Sequence, residues 1–328
     1  MPGNFEMVYF LLHPTLNCNC ICTHCGVSET GSLLVLPILP VEDLCTCINN
    51  IVEAFHLDRI NHTYILHGGE PLILGQRYFE KFINLTADHN VVYSVQTNLT
   101  LYNSKWGNLF KQYNMRVGTS YDFFTDYRKL KNSNNYYEVW KDKVVQYQND
   151  TGNRIHVITI VSKENMNHAE EIIDLASQLN IDIKLNHLYP AGRGKDIFQN
   201  RFLTPEEYGN VLVRAYRAWQ NYREKIIFNH GKDFENHALY GKELPCPFIR
   251  DCKDVIAINP DGSVHKCGVC AQLGIGYLGN ALKKTLDVDA FIKMRIALAS
   301  MPEECRECGI CQGGCPINYN TGQLIEVA

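Results

Sequence analysis

No stretch of this 328-residue chain is long and apolar enough to span a bilayer, so a membrane-spanning helix is not expected. No run of Lys and Arg is interleaved with aromatics, and the formal net charge is -4, which removes the usual electrostatic footprint of nucleic-acid binding. The N-terminus, Met1 to Leu12, lacks a basic region. Its apolar stretch is short and opens on Glu6, so it does not read as a secretory signal. Cysteine is absent between Ile48 and Pro245, although the whole chain carries 14. Without an export signal, so many thiols imply a reducing compartment, where clustered cysteines serve as metal ligands more often than as disulfides. A cytoplasmic setting, anaerobic or low in oxygen, is the expectation.

What is present is a globular composition, 45% hydrophobic and 20% charged, with apolar content for a sizeable core and a length that fits one large domain and one small. The cysteine-free stretch alternates strand-like and helix-like runs. Thr63 to Leu66 precedes Gln76 to Thr86, Val91 to Val95 precedes Lys105 to Tyr113, and Arg116 to Ser120 precedes Val139 to Gln148. Ile155 to Val161 then leads to Ala169 to Leu179, and Ile181 to Leu188 to Glu206 to Tyr222. An earlier helix, opened by Pro40 and Asp43, places Leu44, Ile48, Ile51 and Phe55 on one face. With the strand Met7 to Leu12 these make six βα units, which predicts a parallel sheet closed into a partial (β/α)6 barrel. The active site of such a fold gathers the loops that follow the strands.

Those loops carry the chemistry. After the first strand, Cys18, Cys22 and Cys25 form a C-x3-C-x2-C triplet. Three thiolates in one loop suit three irons of a [4Fe-4S] cluster, whereas electron-carrying clusters take four cysteines, so the fourth iron is left open to a ligand. A zinc knuckle or a disulfide framework are the other readings of the triplet taken alone. After the second strand come His67, Gly68, Gly69, Glu70 and Pro71, where glycines permit close backbone approach and Glu70 offers a carboxylate to a cation. Gln96, Thr97 and Asn98 follow the third strand, and Ser120 and Asp122 the fourth. Singly these read as caps or loop polar residues; gathered at one end of a sheet they describe a pocket.

The triplet and the Gly68-Gly69-Glu70-Pro71 turn resemble the radical S-adenosylmethionine (SAM) enzymes, over about the first two thirds of the chain. The resemblance implies that Cys18, Cys22 and Cys25 hold a [4Fe-4S] cluster whose open iron is chelated by SAM, and that reductive cleavage of SAM yields a 5'-deoxyadenosyl radical. It implies that Glu70, with the Gly68 and Gly69 backbone, meets the SAM amino group, and that Gln96, Asn98 and Ser120 touch its ribose or carboxylate. His24 stands where the family has an aromatic residue beside the last cysteine, placing it along the adenine rather than on the metal.

A second cysteine group follows: Cys246, Cys252, Cys267, Cys270, then Cys305, Cys308, Cys311 and Cys315. Between Cys252 and Cys267, the segment Val255 to Lys266 with its Asn-Pro-Asp-Gly turn predicts a hairpin. Taken alone, Cys305 to Cys315 suits a zinc ribbon half or a cluster loop. The whole is similar to the SPASM extension, a small cysteine-rich iron-sulfur domain. By that resemblance Cys246, Cys252, Cys267 and Cys315 ligate a first auxiliary [4Fe-4S] cluster and Cys305, Cys308 and Cys311 a second, so one or two auxiliary clusters are expected. Only two residues separate Cys308 from Cys311 and no cysteine follows Cys315, so the second cluster lacks a fourth ligand in this pattern. Cys270 is a spare that serves as that ligand, as a hydrogen-atom donor to a substrate radical, or as a small buried hydrophobe. Cys20, Cys45 and Cys47 join no pattern. Domains over 1–235 and 236–328 follow.

SPASM enzymes act mostly on peptides, so the leading expectation is an enzyme that forms a thioether or other cross-link in a ribosomally made peptide. The alternatives are a peptide or small-molecule epimerase or dehydrogenase, aminoglycoside-type included, a sulfatase-maturase-like oxidation, and a non-catalytic iron-sulfur or zinc protein. A flavodoxin or ferredoxin is the implied electron donor. With no room before Cys18 for a leader-binding domain, a separate leader-recognition protein or the barrel itself would read the substrate. The Tyr121 to Tyr137 segment, rich in Tyr, Phe, Asn and Lys, reads either as a peptide-contacting loop or as a solvated connection.

Overall fold

The computed structural model describes residues 7–27, 37–87, 91–132, 135–242, 244 and 255–297, with side chains in its last helix as far as Ile292. Six strands pair in parallel in chain order: β1 (Met7–Leu12), β2 (Asn61–Leu66), β3 (Val91–Gln96), β4 (Arg116–Ser120), β5 (His156–Val161) and β6 (Asp182–His187). Helices α1 (Val41–Ala54), α2 (Gln76–Thr86), α3 (Ser104–Gln112), α4 (Tyr136–Thr151) and α5 (Ala169–Gln178) cross between them. After β6 come α6 (Gly194–Arg201), α7 (Pro205–Trp219) and α8 (Asn229–Tyr240). The partial barrel expected from the alternating pattern is the architecture observed.

The spacing that predicted each helix also sets what it buries. Leu44, Ile48, Ile51 and Phe55 share one face of α1 and are sealed in the core. Helix α7 starts at a capping box, Thr204 with Glu207, and Pro205 fixes its first turn. Its Arg214 reaches back to Glu170 on α5 through Nε at 2.7 Å, tying the last two crossover helices together.

Strand residues alternate between two unlike faces. Phe10, Tyr64, Val95, Val117, Val157 and Ile183 point outward and are buried under the helices. On the concave face stand Ser94, Gln96, Ser120, Lys184 and Asn186, all only half-buried. A barrel packed as its own core would be apolar there. This one has a polar lumen instead.

The cysteine-poor barrel and the C-terminal region share one sheet. Strand β7 (Val255–Ile258) pairs in parallel with β1, from Tyr9 opposite Val255 to Leu12 opposite Ile258. It turns through Asn259 to Gly262, with Gly262 at φ +77°, into the antiparallel β8 (Ser263–His265), which is the expected hairpin. Then follow α9 (Gly268–Leu273), β9 (Tyr277–Asn280), β10 (Thr285–Leu286) and α10 (Val288–Ala297), giving the order β10-β9-β8-β7-β1-β2-β3-β4-β5-β6. Phe55 at the end of α1 stacks on Phe291 of α10 with ring centroids 4.3 Å apart, sealing the junction from the helix side. Residues 235 and 236, the expected domain junction, both lie within α8.

Candidate active site

The loop after β1 is held from two sides. On one, the Gly-Gly turn after β2 lies against it: Gly69 N donates to Thr15 O at 2.9 Å and Glu70 N to Asn17 O at 2.8 Å. A Cβ at Gly69 would stand 2.1 Å from Asn17 O, and one at Gly68, whose φ is +106°, 2.4 Å from Thr15 O. Only glycine fits this approach. On the other side, Ile21 N donates to Lys129 O and Thr23 N to Tyr127 O, both at 2.8 Å, and Lys131 N to Asn19 O at 3.2 Å. The Tyr121 to Tyr137 segment is therefore neither free nor solvated along this stretch. It straps the cysteine loop in antiparallel register.

Within the loop, Cys18, Cys20 and Cys22 approach one another. The Cys20 thiol is buried and shares its proton with both neighbours, which pushes its own pKa far up. Those same hydrogen bonds lower Cys18 and bring Cys22 down to about 6, the Arg128 charge adding to the second shift. So the two cysteines of the triplet lean toward thiolate while the unassigned one between them keeps its proton. Cys25 is positioned by its backbone: its N–H donates to Cys22 O at 3.4 Å and its carbonyl accepts from Arg193 N at 2.9 Å. Gly192, at φ +53°, makes room for that carbonyl, so the Ala191 to Gly194 turn after β6 is a further support for the loop.

Among the described residues no three His, Cys, Asp or Glu side chains converge on one point as ligands of a single ion do. Thiolates on a cubane each take a different iron and stand farther apart than that. The thiol donor set, two members already biased toward thiolate, fits an iron-sulfur cluster held by Cys18, Cys22 and Cys25.

Glu70 is fully buried, and its carboxylate is the hub of the pocket floor. Oε1 accepts from Leu72 N at 2.9 Å and Thr97 Oγ1 at 2.6 Å, and Oε2 from Asn98 N at 2.7 Å. Burial outweighs these bonds and lifts its pKa to about 7. Three of about four acceptor positions are used, leaving room for one bond from an incoming ammonium. Asn98 turns its amide to the cysteine loop, donating to Asn19 Oδ1 at 2.8 Å and to Cys20 Sγ at 3.3 Å. Gln96 folds over Gly118 and donates to Ser120 Oγ at 2.9 Å, so two expected cofactor contacts meet directly. The structure thus gathers Gly68, Gly69, Glu70, Gln96, Asn98 and Ser120 at one end of β2 to β4.

Two groups escaped the sequence reading. Asp122 just beyond β4 is completely buried, with Oδ2 2.8 Å from Arg128 Nε and 3.3 Å from His24 Nε2, and Oδ1 accepting from Ile160 N at 2.7 Å. The Arg128 contact is an ion pair without good hydrogen-bond alignment. His24 is driven down to about 4 by burial and so is neutral beside the carboxylate. At the end of β1, His13 Nδ1 meets Asn259 Oδ1 at 3.1 Å, and its ring lies 5.4 Å from that of His67. Burial lowers both histidines, His67 to about 3. Neither cluster shows in local sequence pattern; an Asp and an Arg six residues apart in an aromatic loop was the one available hint.

In the C-terminal region Cys267 caps α9, its Sγ accepting from Cys270 N at 3.4 Å. Hydrogen bonding from Cys270 brings the Cys267 pKa down to about 7, and Cys270 itself is buried with Val269, Leu273 and Ile275. Helix α9 abuts the first loop: a Cβ at Gly26 would lie 2.3 Å from Gln272 Oε1, and one at Gly268 2.9 Å from Leu11 Cδ1. Cys246, Cys252, Cys305, Cys308, Cys311 and Cys315 lie outside the described residues. No described helix is long and apolar enough to cross a membrane.

Known proteins share this arrangement. The family model of the Radical SAM superfamily matches residues 12–176, just over half of the 328. A cysteine-type anaerobic sulfatase-maturating enzyme of Clostridium novyi (strain NT) is 24% identical over 322 residues, covering 92% of this chain and 86% of that protein. A serine-type anaerobic sulfatase-maturating enzyme of Klebsiella aerogenes is 22% identical over 92% of this chain and 78% of its own. Among solved structures, native anSMEcpe with bound AdoMet superposes at a TM-score of 0.79 with 20% identity, covering 95% of this chain and 90% of that one. The same protein with bound AdoMet and a Cp18Cys peptide matches equally well, at 0.79.

Proposed function

Because this chain belongs to the Radical SAM superfamily, an enzyme family that uses a [4Fe-4S] cluster and SAM, we propose that it oxidises a cysteine or serine side chain within a peptide segment of a protein substrate. The observation that carries this is the span of the likeness: relatives of both the cysteine type and the serine type match over 92% of the chain, through the cysteine-rich end as well as the barrel. That favours residue oxidation over the cross-linking expected from the sequence. Both begin with the same hydrogen abstraction; no feature of the described residues favours a bond-forming second half.

The roles of the chain's own groups follow from the geometry. Cys18, Cys22 and Cys25 hold the cluster, with Cys20 donating to the first two and keeping them charged. Glu70 accepts the SAM ammonium at its remaining acceptor position, and that cation restores its ionised form, which burial alone opposes. The backbone at Gly68 and Gly69 lies close enough to follow the same group. Gln96 and Ser120, already joined, offer the Gln96 carbonyl and the Ser120 hydroxyl to the ribose or carboxylate, and Asn98 tethers this wall to the cysteine loop. Cys267, with Cys246, Cys252 and Cys315, holds a first auxiliary cluster. Cys305, Cys308 and Cys311 belong to a second, with Cys270 or another group completing it. When bound, these groups supply the hydrogen-abstracting power and a place for the electron left after oxidation.

The test is an anaerobic incubation of reconstituted enzyme with SAM, a flavodoxin- or ferredoxin-type reductant and peptides carrying one cysteine or one serine. Mass spectrometry should show the side chain losing two hydrogens, with 5'-deoxyadenosine formed alongside. A peptide that leaves with an internal cross-link would overturn oxidation in favour of cross-linking, and 5'-deoxyadenosine without any peptide product would overturn both.

A further inference from the structure

The largest described cavity lies at the end of the barrel remote from the cysteine loop. It has a volume of about 1140 Å³ and runs from the Asn114, Asn153 and Asn180 turns up the lumen to Gln96. Pockets for small ligands occupy about 300–1,000 Å³, so this space exceeds what a free amino acid needs and suits an extended segment. Its lining is amide-rich: Ser94 and Gln96 from β3, Asn229 held by His156 at 2.8 Å, and the turn asparagines. Such groups recognise peptide N–H and C=O. Its upper end, Gln96, is already joined to Ser120 at the SAM-side wall.

The charges are unequal. Arg154 pairs with Asp182 at 2.9 Å, while Arg116, exposed at the start of β4 opposite Ser94, forms no ion pair among the described residues. Arg116 and Ser120 point to the same face, four residues apart, which is ~13 Å along a strand. An extended peptide lying beside β4 advances at about the same rise per residue.

We propose that this lumen is a peptide-binding subsite, entered from the barrel end remote from the cluster loop, in which Arg116 pairs with an acidic side chain about four residues from the residue oxidised. The inference rests on the peptide-oxidising reading above and assigns its substrate a shape and a charge. Ser94 and Gln96 hold the backbone between the two points, and Gly118, which could not carry a Cβ without meeting Gln96 Oε1 at 2.2 Å, keeps the wall flat.

Fluorescence anisotropy on the SAM-loaded, cluster-containing enzyme tests this with labelled cysteine peptides carrying Glu, Gln or Lys four residues to either side. The Glu peptide should bind at least tenfold more tightly than the Gln peptide in one of the two orientations. Arg116→Glu should reverse the order of the Glu and Lys peptides, and Ser94→Tyr, which plugs the lumen, should weaken all of them, with thermal melts verifying that both variants fold. Equal affinity for Glu, Gln and Lys peptides, unmoved by Arg116→Glu, refutes the subsite while leaving the peptide reading intact. A wild-type enzyme that binds none of the peptides refutes that reading and the subsite together.

Discussion

Removing the Asp122 carboxylate should loosen the cluster loop from a distance. Asp122 is fully buried, and it balances Arg128, whose side chain is only 14% exposed. Burial opposes the Arg128 charge and Asp122 more than restores it, so its pKa lies above the ordinary value. Asp122→Ala leaves that cation without a partner, and breaking one side of a buried pair costs about 3–5 kcal/mol. It also orphans Ile160 N–H, which donates to Oδ1 at 2.7 Å, for about 1–3 kcal/mol more. At roughly 2–4 °C per kcal/mol in a large domain, the melting temperature should fall by on the order of 10 °C. Asp122→Asn keeps an acceptor for Ile160 and should lose less, and Arg128→Met added to Asp122→Ala should recover part of the loss because the unpaired charge is gone. Since Arg128 lies between Tyr127 and Lys129, whose carbonyls hold Thr23 and Ile21, iron bound per chain after reconstitution should fall with stability. Differential scanning calorimetry with iron analysis reads both. An Asp122→Ala protein that melts within 2 °C of wild type, with full iron, would show that the pair does not hold the strap.

Glu70 gives a pH-dependent prediction. Its folded pKa of about 7 lies above the ordinary 4.5, so its contribution to stability is complete below pH 4.5 and is lost as pH rises through 7. Between pH 4 and pH 8 this amounts to about 3 kcal/mol, and Glu70→Gln should lack that slope; urea titrations of cluster-free protein whose two pH curves run parallel would refute it. Gly69→Ala forces a Cβ to within 2.1 Å of Asn17 O, so the cysteine loop must shift and iron per chain should drop sharply, whereas full iron retention would mean that the loop tolerates a different path.

The barrel was legible because its signals are local. Each βα unit repeats a period-2 run and a period-3.6 run, and the helix carrying Leu44, Ile48, Ile51 and Phe55 buries the face its spacing predicts. The Cys18 loop and the Gly68-Gly69 turn were legible because their chemistry is unusual at that spacing. The strap was not: residues 127–131 pair with 19–23 across more than 100 positions, and backbone pairing at that range leaves no trace in either segment's composition. Asp122, Arg128 and His24 were hidden for the same reason, since a buried ion pair looks like surface polarity until the fold closes around it. Nor does an alternating run such as Val255 to Ile258 disclose that its neighbour is the first strand of the chain.

That neighbour relation has a kinetic side. His13 and Asn259, which meet at the β1–β7 seam, stand 246 positions apart. During synthesis β1 is made first but keeps one edge bare until almost the whole barrel has been translated, and long-range closure of this kind is slow. An unpaired apolar edge is a template for aggregation. The cysteine loop directly follows that strand, so nascent chains that stall before Val255 would present an open edge and three reactive thiols together, and yield of this protein in a foreign host should depend on elongation rate and on chaperones that shield the first strand.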